Sequence, residues 1–173
     1  MIHEFRYEYK NVILRPLNKN DIEQLRGWRN NPDNTCYLKQ IPYITPQMQI
    51  DWYKRYQNDN DEICFAIIEN KELNRFVGSL CLYNFSQKTC SFGKFLIGDK
   101  EAHGKKIGVN ATRAAIFFAF EKLGMNKIVL NVFLENIAAI KVYQEAGFHF
   151  FETHLSTDNR MEMTMIIKKG DNE

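Results

Sequence analysis

The sequence of 173 residues predicts an α/β (α+β) fold, in which a central mixed but mostly antiparallel sheet of about seven strands is flanked by about four helices. Two observations predict this class. Branched and aromatic residues cluster in short segments, whereas apolar residues recur at helical spacing in longer ones. The predicted order is strand, two helices, three strands, helix, strand, helix and two strands. We expect residues 1–173 to form a single domain, because this length suits one hydrophobic core.

The composition indicates a globular protein and argues against several function classes. Hydrophobic residues make up 45% of the chain and charged residues 25%, which is ordinary for a folded domain. The net charge of +2 arises from mixed signs, so no nucleic-acid partner is expected. The charged N-terminus lacks a signal-peptide core, and no apolar run approaches the ~18 residues of a membrane span. We therefore expect a cytoplasmic protein with no membrane partner.

No metal is expected, because the cysteines lack the spacing of metal ligands. Each of them lies in or beside apolar residues, which favours buried and reduced thiols. These cysteines are Cys36, Cys64, Cys81 and Cys90.

The N-terminal part of the chain predicts one strand and one helix. Residues 12–17 are predicted to be a strand that stops at Pro16 and a polar turn. Asn18, Asn20 and Asp21 offer N-cap chemistry before apolar residues recur at helical spacing. This helix is expected to end before residues 30–32, because the residue that precedes a proline avoids helical angles. Residues 30–44 are expected to be irregular.

A second helix is predicted to follow Thr45, which offers an N-cap and precedes Pro46 at the first helical position. Met48, Trp52 and Tyr56 form a stripe along one face of this helix. We interpret the stripe as facing the core. The alternative is that Trp52 also lines a pocket for an acceptor substrate.

The remaining elements follow from the same criteria. Strands are predicted over residues 62–69, 76–82, 89–97, 127–133, 148–155 and 161–168, with a polar hairpin loop over residues 70–75. Gly93 is expected to make its strand irregular. Residues 109–123 are apolar on nearly all sides, which predicts a buried helix that ends at Gly124. The last helix is predicted between Asn136 as N-cap and Gly147 as a left-handed C-terminal cap.

A basic loop joins the strand over residues 89–97 to the apolar helix. Its sequence is Gly104-Lys105-Lys106-Ile107-Gly108, and glycine at both ends lets backbone amides turn inward. Free N–H groups at the start of the following helix favour phosphate or pyrophosphate. The loop fits neither the Walker pattern nor the dinucleotide fingerprint. A plain turn with solvent-facing lysines is the alternative.

The last helix carries two polar residues on one face, because Tyr143 lies about two turns after Asn136. The segment from His103 to Gly108, followed by Asn136-x-x-Ala139-x-x-x-Tyr143-x-x-x-Gly147-Phe148, resembles the GNAT superfamily of acyl-CoA-dependent N-acyltransferases. The most similar branch contains ribosomal-protein-alanine, spermidine and nucleotide-amino-sugar acetyltransferases. The order of predicted elements is also that of the GNAT fold.

This resemblance implies that the protein binds acetyl-CoA. Backbone groups of the strand before the loop would hold the pantetheine arm, and the loop would hold the pyrophosphate. The implied cofactor-binding residues are Phe95, Leu96, Ile97, His103, Gly104, Lys105, Lys106, Ile107, Gly108, Val109, Asn136, Ala139 and Tyr143. Two positions depart from the family pattern. The family usually has arginine or glutamine at position 103 and glycine at position 106.

The resemblance also implies a catalytic role for Tyr143, whose hydroxyl would protonate the departing thiolate. A backbone N–H near Leu96 or Ile97 could stabilise the oxyanion. The sequence predicts no general base, and Glu135, Glu72 and His149 are only weak candidates. The two carboxylates are expected on the solvated surface. The histidine is expected to pack between aromatic residues. A chain of water molecules is the alternative.

The acceptor is expected to be a small molecule with a primary amine. Trp28-Arg29-Asn30-Asn31-Pro32 and Trp52 resemble acetyltransferases of amino-sugar nucleotide pathways, and Arg29 either pairs with an anionic substrate or forms a surface salt bridge. Asn131 either faces the acceptor or is a satisfied buried amide. A polyamine, a protein N-terminus and a non-catalytic CoA-binding module are the alternatives. A homodimer is left open.

Overall fold

The computed structural model describes residues 3–37 and 42–171. These residues contain one sheet of eight strands and five α-helices. The strands are β1 Tyr7–Tyr9, β2 Val12–Pro16, β3 Glu62–Glu69, β4 Arg75–Ser86, β5 Thr89–Ile97, β6 Lys127–Phe133, β7 His149–Leu155 and β8 Met161–Lys168. The helices are α1 Ile22–Asn30, α2 Pro32–Thr35, α3 Pro46–Asn58, α4 Ile107–Phe117 and α5 Ile137–Ala146.

The strand order in the sheet is β1-β2-β3-β4-β5-β6-β8-β7. β5 and β6 pair in parallel, and every other neighbouring pair is antiparallel. This mixed, mostly antiparallel sheet with helices on both faces confirms the predicted fold class. None of the described helices has the length and apolar character needed to cross a membrane.

The first hairpin contains a strand that the sequence analysis missed. β1 pairs with β2 through Tyr9 opposite Val12, across a turn of two residues in which Lys10 has φ +54°. A strand of three residues with a polar centre shows no period that pattern analysis can detect. The sheet therefore has eight strands among the described residues rather than about seven.

The predicted first helix differs from α1 at both ends. Asp21 does not cap it with its side chain; the carboxylate instead accepts two hydrogen bonds from Arg15, at 2.6 and 2.7 Å. The helix also continues to Asn30. A further single turn, α2, begins at Pro32, because the side chain of Asn31 accepts a hydrogen bond from the Asp33 N–H and caps it. Residues 38–41 of the expected irregular stretch lie outside the described residues.

The second predicted helix, α3, has the expected cap but a different buried stripe. The hydroxyl of Thr45 accepts a hydrogen bond from the Met48 N–H at 3.2 Å. Tyr56 is buried and Trp52 is half-buried, whereas Met48 is 47% exposed, so the predicted stripe is wrong at its first position. Gln49 is buried instead, because it lies two turns before Tyr56 on the same helix face.

The predicted irregularity at Gly93 takes the form of a β-bulge just after it. Along β4 and β5 the register passes from Cys81 opposite Gly93 to Ser79 opposite Leu96, so β5 contains one extra residue. Lys94 lies in this bulge with φ +48°. β4 also extends four residues beyond its predicted end at residue 82, to Ser86.

Two apolar layers cover the two faces of the sheet. The larger one packs under α4 and α5, with Phe65, Phe92 and Ile128 at its centre. The smaller one packs under α1 and α3 and includes Cys64, Cys81 and Leu96. Cys90 belongs to the larger layer. The expectation of buried thiols is therefore confirmed at three positions and wrong at Cys36, which is exposed.

The apolar helix begins two residues earlier than predicted, at Ile107, and a π-helical turn over Phe118–Lys122 continues it. Gly124, with φ +66°, follows this turn. Gly147 ends α5 with φ +113°, and its N–H donates to the Gln144 carbonyl at 3.0 Å. Both glycines therefore act where the sequence predicted helix ends.

Candidate active site

The candidate site lies at the opening that forms where β5 and β6 separate. These parallel strands pair only where Thr89, Cys90 and Ser91 lie opposite Lys127, Ile128 and Val129. The later residues of both strands have no ladder between them, so the edge of β5 beyond Ser91 is open. α4 and α5 begin beyond the carboxyl ends of these two strands. In open sheets this end of a parallel pair is where ligands bind.

The loop before α4 exposes backbone amides at the mouth of this opening. Gly104 has φ +77° and Lys106 has φ +58°, so a lysine occupies a left-handed position where the family usually has glycine. No side chain caps α4, and the first backbone bond at this end runs from the Asn110 N–H to the Lys106 carbonyl at 3.0 Å. The preceding N–H groups are oriented to bind an anion.

The side chains of the loop make other contacts. Nε2 of His103 lies 3.1 Å from the Ile97 carbonyl and ties the loop to the end of β5. The Lys105 ammonium pairs with Glu72, and the Lys106 ammonium lies 3.4 Å from Glu145. The loop can therefore offer its backbone amides while its cations stay paired at the surface.

The second glycine of the loop is helical. Gly108 belongs to α4, and a Cβ added there would lie at ordinary contact distances, 3.5 Å from the methyls of Val142 and 3.6 Å from Phe95. The expectation that Gly108 frees the loop backbone is therefore wrong. The side chains of Ile107 and Val109 are buried in the core, so only their backbone can face a ligand.

Tyr143 projects from α5 into an aromatic box beside the opening. Its ring centroid lies 5.8 Å from that of Phe92, 6.2 Å from that of Phe95 and 6.1 Å from that of Phe148. The phenol is 7% exposed, and its hydroxyl has no hydrogen-bond partner within the described residues. Burial, with a smaller effect of nearby Tyr83, raises the pKa of Tyr143 above its ordinary value. The group therefore keeps its proton at neutral pH and can donate it.

Asn136 begins the same helix. Its Oδ1 accepts a hydrogen bond from the Ala139 N–H at 3.1 Å, which confirms the predicted N-cap. The carbonyl oxygen of this amide is thereby used by the helix, and the Nδ2 donor is the group that can serve a ligand.

An ion pair between the exposed Lys94 and the buried Glu62 lies on the other face of the sheet beside the bulge, and sequence analysis missed it. Nζ of Lys94 donates to Glu62 at 2.7 Å and lies 5.4 Å from the centroid of the Tyr83 ring. The thiol of Cys64 donates to the other oxygen of Glu62 at 3.0 Å. Burial raises the pKa of Glu62, but the bonds from Cys64 and Lys94 outweigh it, so the pKa lies below its ordinary value. The only sequence signal was the glycine next to Lys94.

Comparison with known proteins now identifies the family. The sequence-family model described as the acetyltransferase (GNAT) domain matches residues 11–149, which is most of the chain. The chain belongs to the GNAT acetyltransferase family. It is therefore an acyltransferase that uses acetyl-CoA, which confirms the enzyme class and the cofactor expected from the sequence. The alternative of a non-catalytic CoA-binding module is set aside.

Individual relatives include two enzymes named for their activity. Acetyltransferase PseH of Campylobacter jejuni (strain 81-176) is 27% identical over 136 residues, 79% of this chain and 82% of that protein. Spermidine N(1)-acetyltransferase of Vibrio cholerae is 28% identical over 139 residues, 79% of this chain and 78% of that protein. The crystal structure of V. cholerae spermidine N-acetyltransferase with CoA and spermine has the same fold, with a TM-score of 0.83 and 22% identity over 94% of this chain and 99% of that one.

Within this GNAT acetyltransferase, two of the predicted acceptor residues pack in structural roles. A Cβ added to Gly98 would lie 2.1 Å from the Trp28 ring, so the indole covers the chain just after β5. The side chain of Asn30 bonds both the carbonyl and the N–H of Ile44, at 2.8 and 2.9 Å. These contacts connect α1 to the end of β5 and to the start of α3.

The other predicted acceptor residues keep polar or aromatic surface. Trp52 is half-buried and stacks on Tyr56 at 5.7 Å. The half-buried guanidinium of Arg29 forms no ion pair with a residue in the described ranges, so the alternative of a surface salt bridge is not found there. Asn131 is exposed and accepts a hydrogen bond from the Thr164 hydroxyl at 2.9 Å, so it is not a buried amide.

The three weak base candidates lie in surface positions. Glu135 accepts a hydrogen bond from Arg160 at 2.6 Å, and Glu72 pairs with Lys105. The side chain of His149 is 51% exposed, 3.7 Å from Asp171, so the expectation that it packs between aromatic residues is wrong. Its strand is the outer edge of the sheet, and six of the seven residues of this strand are exposed.

Proposed function

We propose that this acetyltransferase moves the acetyl group of acetyl-CoA to a primary amine of a small-molecule acceptor, with a nucleotide-linked amino sugar as the leading candidate. The observation that carries the proposal is the opening between β5 and β6, with the protonated phenol of Tyr143 beside it. Bound acetyl-CoA supplies an activated thioester. The residues of this chain then have to bind it, orient the amine and return a proton to the thiolate.

The proposed cofactor contacts use backbone groups. The open edge of β5 at Phe95, Leu96 and Ile97 can pair with the amides of the pantetheine arm, and Nδ2 of Asn136 can donate to the same arm beside Ala139. The N–H groups of residues 104–109 can bind the pyrophosphate, since the start of α4 has no side-chain cap, whereas the His103 N–H donates to the Lys100 carbonyl at 3.2 Å. The residues present therefore fit acetyl-CoA.

The proposed catalytic residue is Tyr143. The neutral amine attacks the thioester carbonyl, the C–S bond breaks, and the phenol gives its proton to the leaving sulfur. The acylated nitrogen loses one proton to water, and a proton from water restores the phenol. The position of Tyr143 supports this role, because its ring packs against Phe95 of β5 and its hydroxyl has no other hydrogen-bond partner among the described residues. A backbone N–H near Leu96 or Ile97, next to the bulge, can stabilise the oxyanion.

The charges beside the bulge favour an anionic acceptor over a polycation. In the Lys94–Glu62 pair the cation is the accessible partner, with 38% of its side chain exposed against 9% for the carboxylate. Asp59 and Asp61, which precede Glu62, are exposed and accept hydrogen bonds from the N–H groups of Asp61 and Phe85, at 2.8 and 3.0 Å. Arg29 adds a second cation on α1. A polyamine would instead need the accessible group beside the bulge to be a carboxylate, and that group is the Lys94 ammonium.

The test measures CoA release from acetyl-CoA with nucleotide-linked amino sugars, spermidine and short peptides as acceptors. We expect the highest kcat/KM with an anionic amino sugar. A preference for spermidine would overturn the acceptor class but leave acetyl transfer intact. If acetyl-CoA binds and no amine in the panel releases CoA, small-molecule acetyl transfer is wrong for this protein.

We also propose a cytoplasmic location and a single catalytic domain over residues 1–173. Self-association into a homodimer is supported by exposed apolar side chains on the outer hairpin, where Phe150, Phe151 and Leu155 are each more than half exposed. Light scattering on the purified protein tests this, and a monomer mass at all concentrations would reject it.

A further inference from the structure

The turn between β1 and β2 contacts the candidate pyrophosphate loop. Nδ2 of Asn11 donates to the carbonyl of Lys105 at 3.1 Å, across 94 positions of sequence. Asn110, buried in the first turns of α4, donates from its own Nδ2 to Oδ1 of Asn11 at 2.7 Å. The Asn11 carbonyl accepts in turn from the Asn70 N–H at 3.2 Å, which ties the turn to the end of β3.

These bonds fix the direction of two peptide groups in the loop. The carbonyl of Lys105 points to Asn11, and the carbonyl of Lys106 accepts the N–H of Asn110 at 3.0 Å. In a trans peptide the N–H points opposite to its carbonyl, and this chain contains no cis peptide among its described residues. The N–H of Lys106 is therefore turned away from Asn11, and the N–H of Ile107 points out of the N-terminal end of α4.

The loop needs such support because of its own sequence. Lys106 holds φ +58° without being glycine, and the left-handed region is unfavourable for a residue with a Cβ. The ion pair between Lys105 and Glu72 is exposed and contributes little. The amide of Asn11, supported by Asn110, is the part-buried contact that opposes relaxation of this backbone.

We propose that Asn11 is a positioning residue for the cofactor: together with Asn110 it orients the loop amides that bind the pyrophosphate of acetyl-CoA. The β1–β2 hairpin is thus part of the cofactor site, although it lies far from the loop in sequence. This inference rests on the proposed binding of pyrophosphate by residues 104–109.

The experiment compares two acetyl donors. Acetyl-CoA carries the pyrophosphate, and acetyl-pantetheine lacks it while keeping the thioester and the arm. Steady-state kinetics are measured for wild type, Asn11→Ala and Asn110→Ala, with any acceptor amine that supports turnover. Asn58→Ala is the matched control, because its Nδ2 also bonds a backbone carbonyl, that of Lys54 at 3.1 Å, on an exposed helix end away from the loop.

We expect Asn11→Ala and Asn110→Ala to raise KM for acetyl-CoA roughly three- to tenfold, the range for losing one hydrogen bond of this kind. The value of kcat and the KM for acetyl-pantetheine should stay within about twofold of wild type, because neither involves the pyrophosphate. Asn58→Ala should match wild type with both donors.

Each other result has a separate meaning. If wild type uses both donors with equal KM, the loop does not bind pyrophosphate and the proposed function loses that part. If wild type prefers acetyl-CoA and both variants keep that preference, Asn11 does not position the loop. An equal rise in KM for both donors would assign Asn11 to general stability and overturn the inference. If Asn11→Ala fails to fold, Asn110→Ala decides alone, since it removes only the support for the Asn11 amide.

Discussion

Tyr143 combines two properties that an ordinary helix aromatic does not need. Its ring is packed among Phe92, Phe95 and Phe148, yet its hydroxyl has no hydrogen-bond partner within the described residues. The unpaired buried polar atoms of the described residues do not include Tyr143 Oη, so this oxygen reaches accessible space at the edge of the packed ring. Departing sulfur is the partner that the proposed reaction supplies.

Replacing Tyr143 with phenylalanine should therefore separate packing from proton donation. We expect kcat to fall by roughly 10²–10⁴, the range for losing a positioned acid. The Kd of acetyl-CoA should hardly change, since the hydroxyl matters chiefly as the sulfur gains charge. Tyr7→Phe is the control, because Tyr7 lies in β1, away from the opening, and its ring stacks on Phe117 of α4. Near-normal turnover in Tyr143→Phe would reduce the residue to packing.

Lys106 offers a second test at single-residue scale. Its φ of +58° suits glycine and strains a branched side chain. Lys106→Gly should leave the free energy of unfolding unchanged or raise it by up to about 1 kcal/mol, because relief of strain offsets the added freedom of the unfolded chain. Lys106→Val should lower it by more than about 1 kcal/mol. Urea unfolding measures both, and a stable Lys106→Val protein would show that the loop backbone is not held in this conformation.

Among the elements, the hairpin loop between β3 and β4 depends on a single carboxylate. Glu69 is 1% exposed and accepts hydrogen bonds from the N–H groups of Lys71, Glu72 and Leu73, at 3.0, 2.9 and 2.6 Å. Burial raises the pKa of Glu69, but these backbone donors outweigh it, so the pKa lies below its ordinary value. The ionised form is thus the one that holds the loop.

The stabilisation from Glu69 is complete above the ordinary glutamate pKa of about 4.3 and is lost as the pH falls through the lower folded value. Glu69→Gln should lower the free energy of unfolding at pH 7 by roughly 1–3 kcal/mol. The gap between wild type and variant should narrow as the pH drops below about 4. Glu152→Gln, at an exposed position on β7, is the control. A gap that stays constant with pH would contradict the role of the charge.

Elements with strong periodicity were predicted well, and short or locally strained ones were not. β3, β5, β6 and β8 have the predicted bounds, because their branched residues fit a pleated and buried surface. β1 and α2 were missed because each is too short, at three and four residues, to show a period in its sequence. The bulge at Lys94 depends on pairing with β4, which no single strand sequence contains.

At the scale of the whole molecule, ligand binding should stabilise the fold. At a concentration one hundred times its Kd, CoA or acetyl-CoA should add about 2.7 kcal/mol to the free energy of unfolding by mass action. ATP and NAD should give much smaller increases. Thermal melts and titration calorimetry check this together. A melt that saturating CoA does not shift, with no heat of binding, would contradict the cofactor assignment for the protein as a whole.

The site could be predicted only in part, because its members come from distant segments. The loop, Asn136 and Tyr143 lie close in sequence and carry a recognisable spacing. The Lys94–Glu62 pair and the Asn11–Lys105 bond join residues 32 and 94 positions apart, and each depends on strand order. Strand order was not readable from local patterns, so these contacts could not be predicted.

The line between β5 and β6 also determines how the sheet carries mechanical load. Three residue pairs join these strands, whereas eight join β3 to β4. A force that pulls β2 away from β8 in the plane of the sheet therefore meets its weakest row of backbone bonds near the middle. Apolar side chains from both sides, such as Leu82 and Ile128, bridge that row beneath α4. Tensile strength across the molecule thus resides in side-chain packing, and the rupture line coincides with the opening proposed to receive the acyl donor.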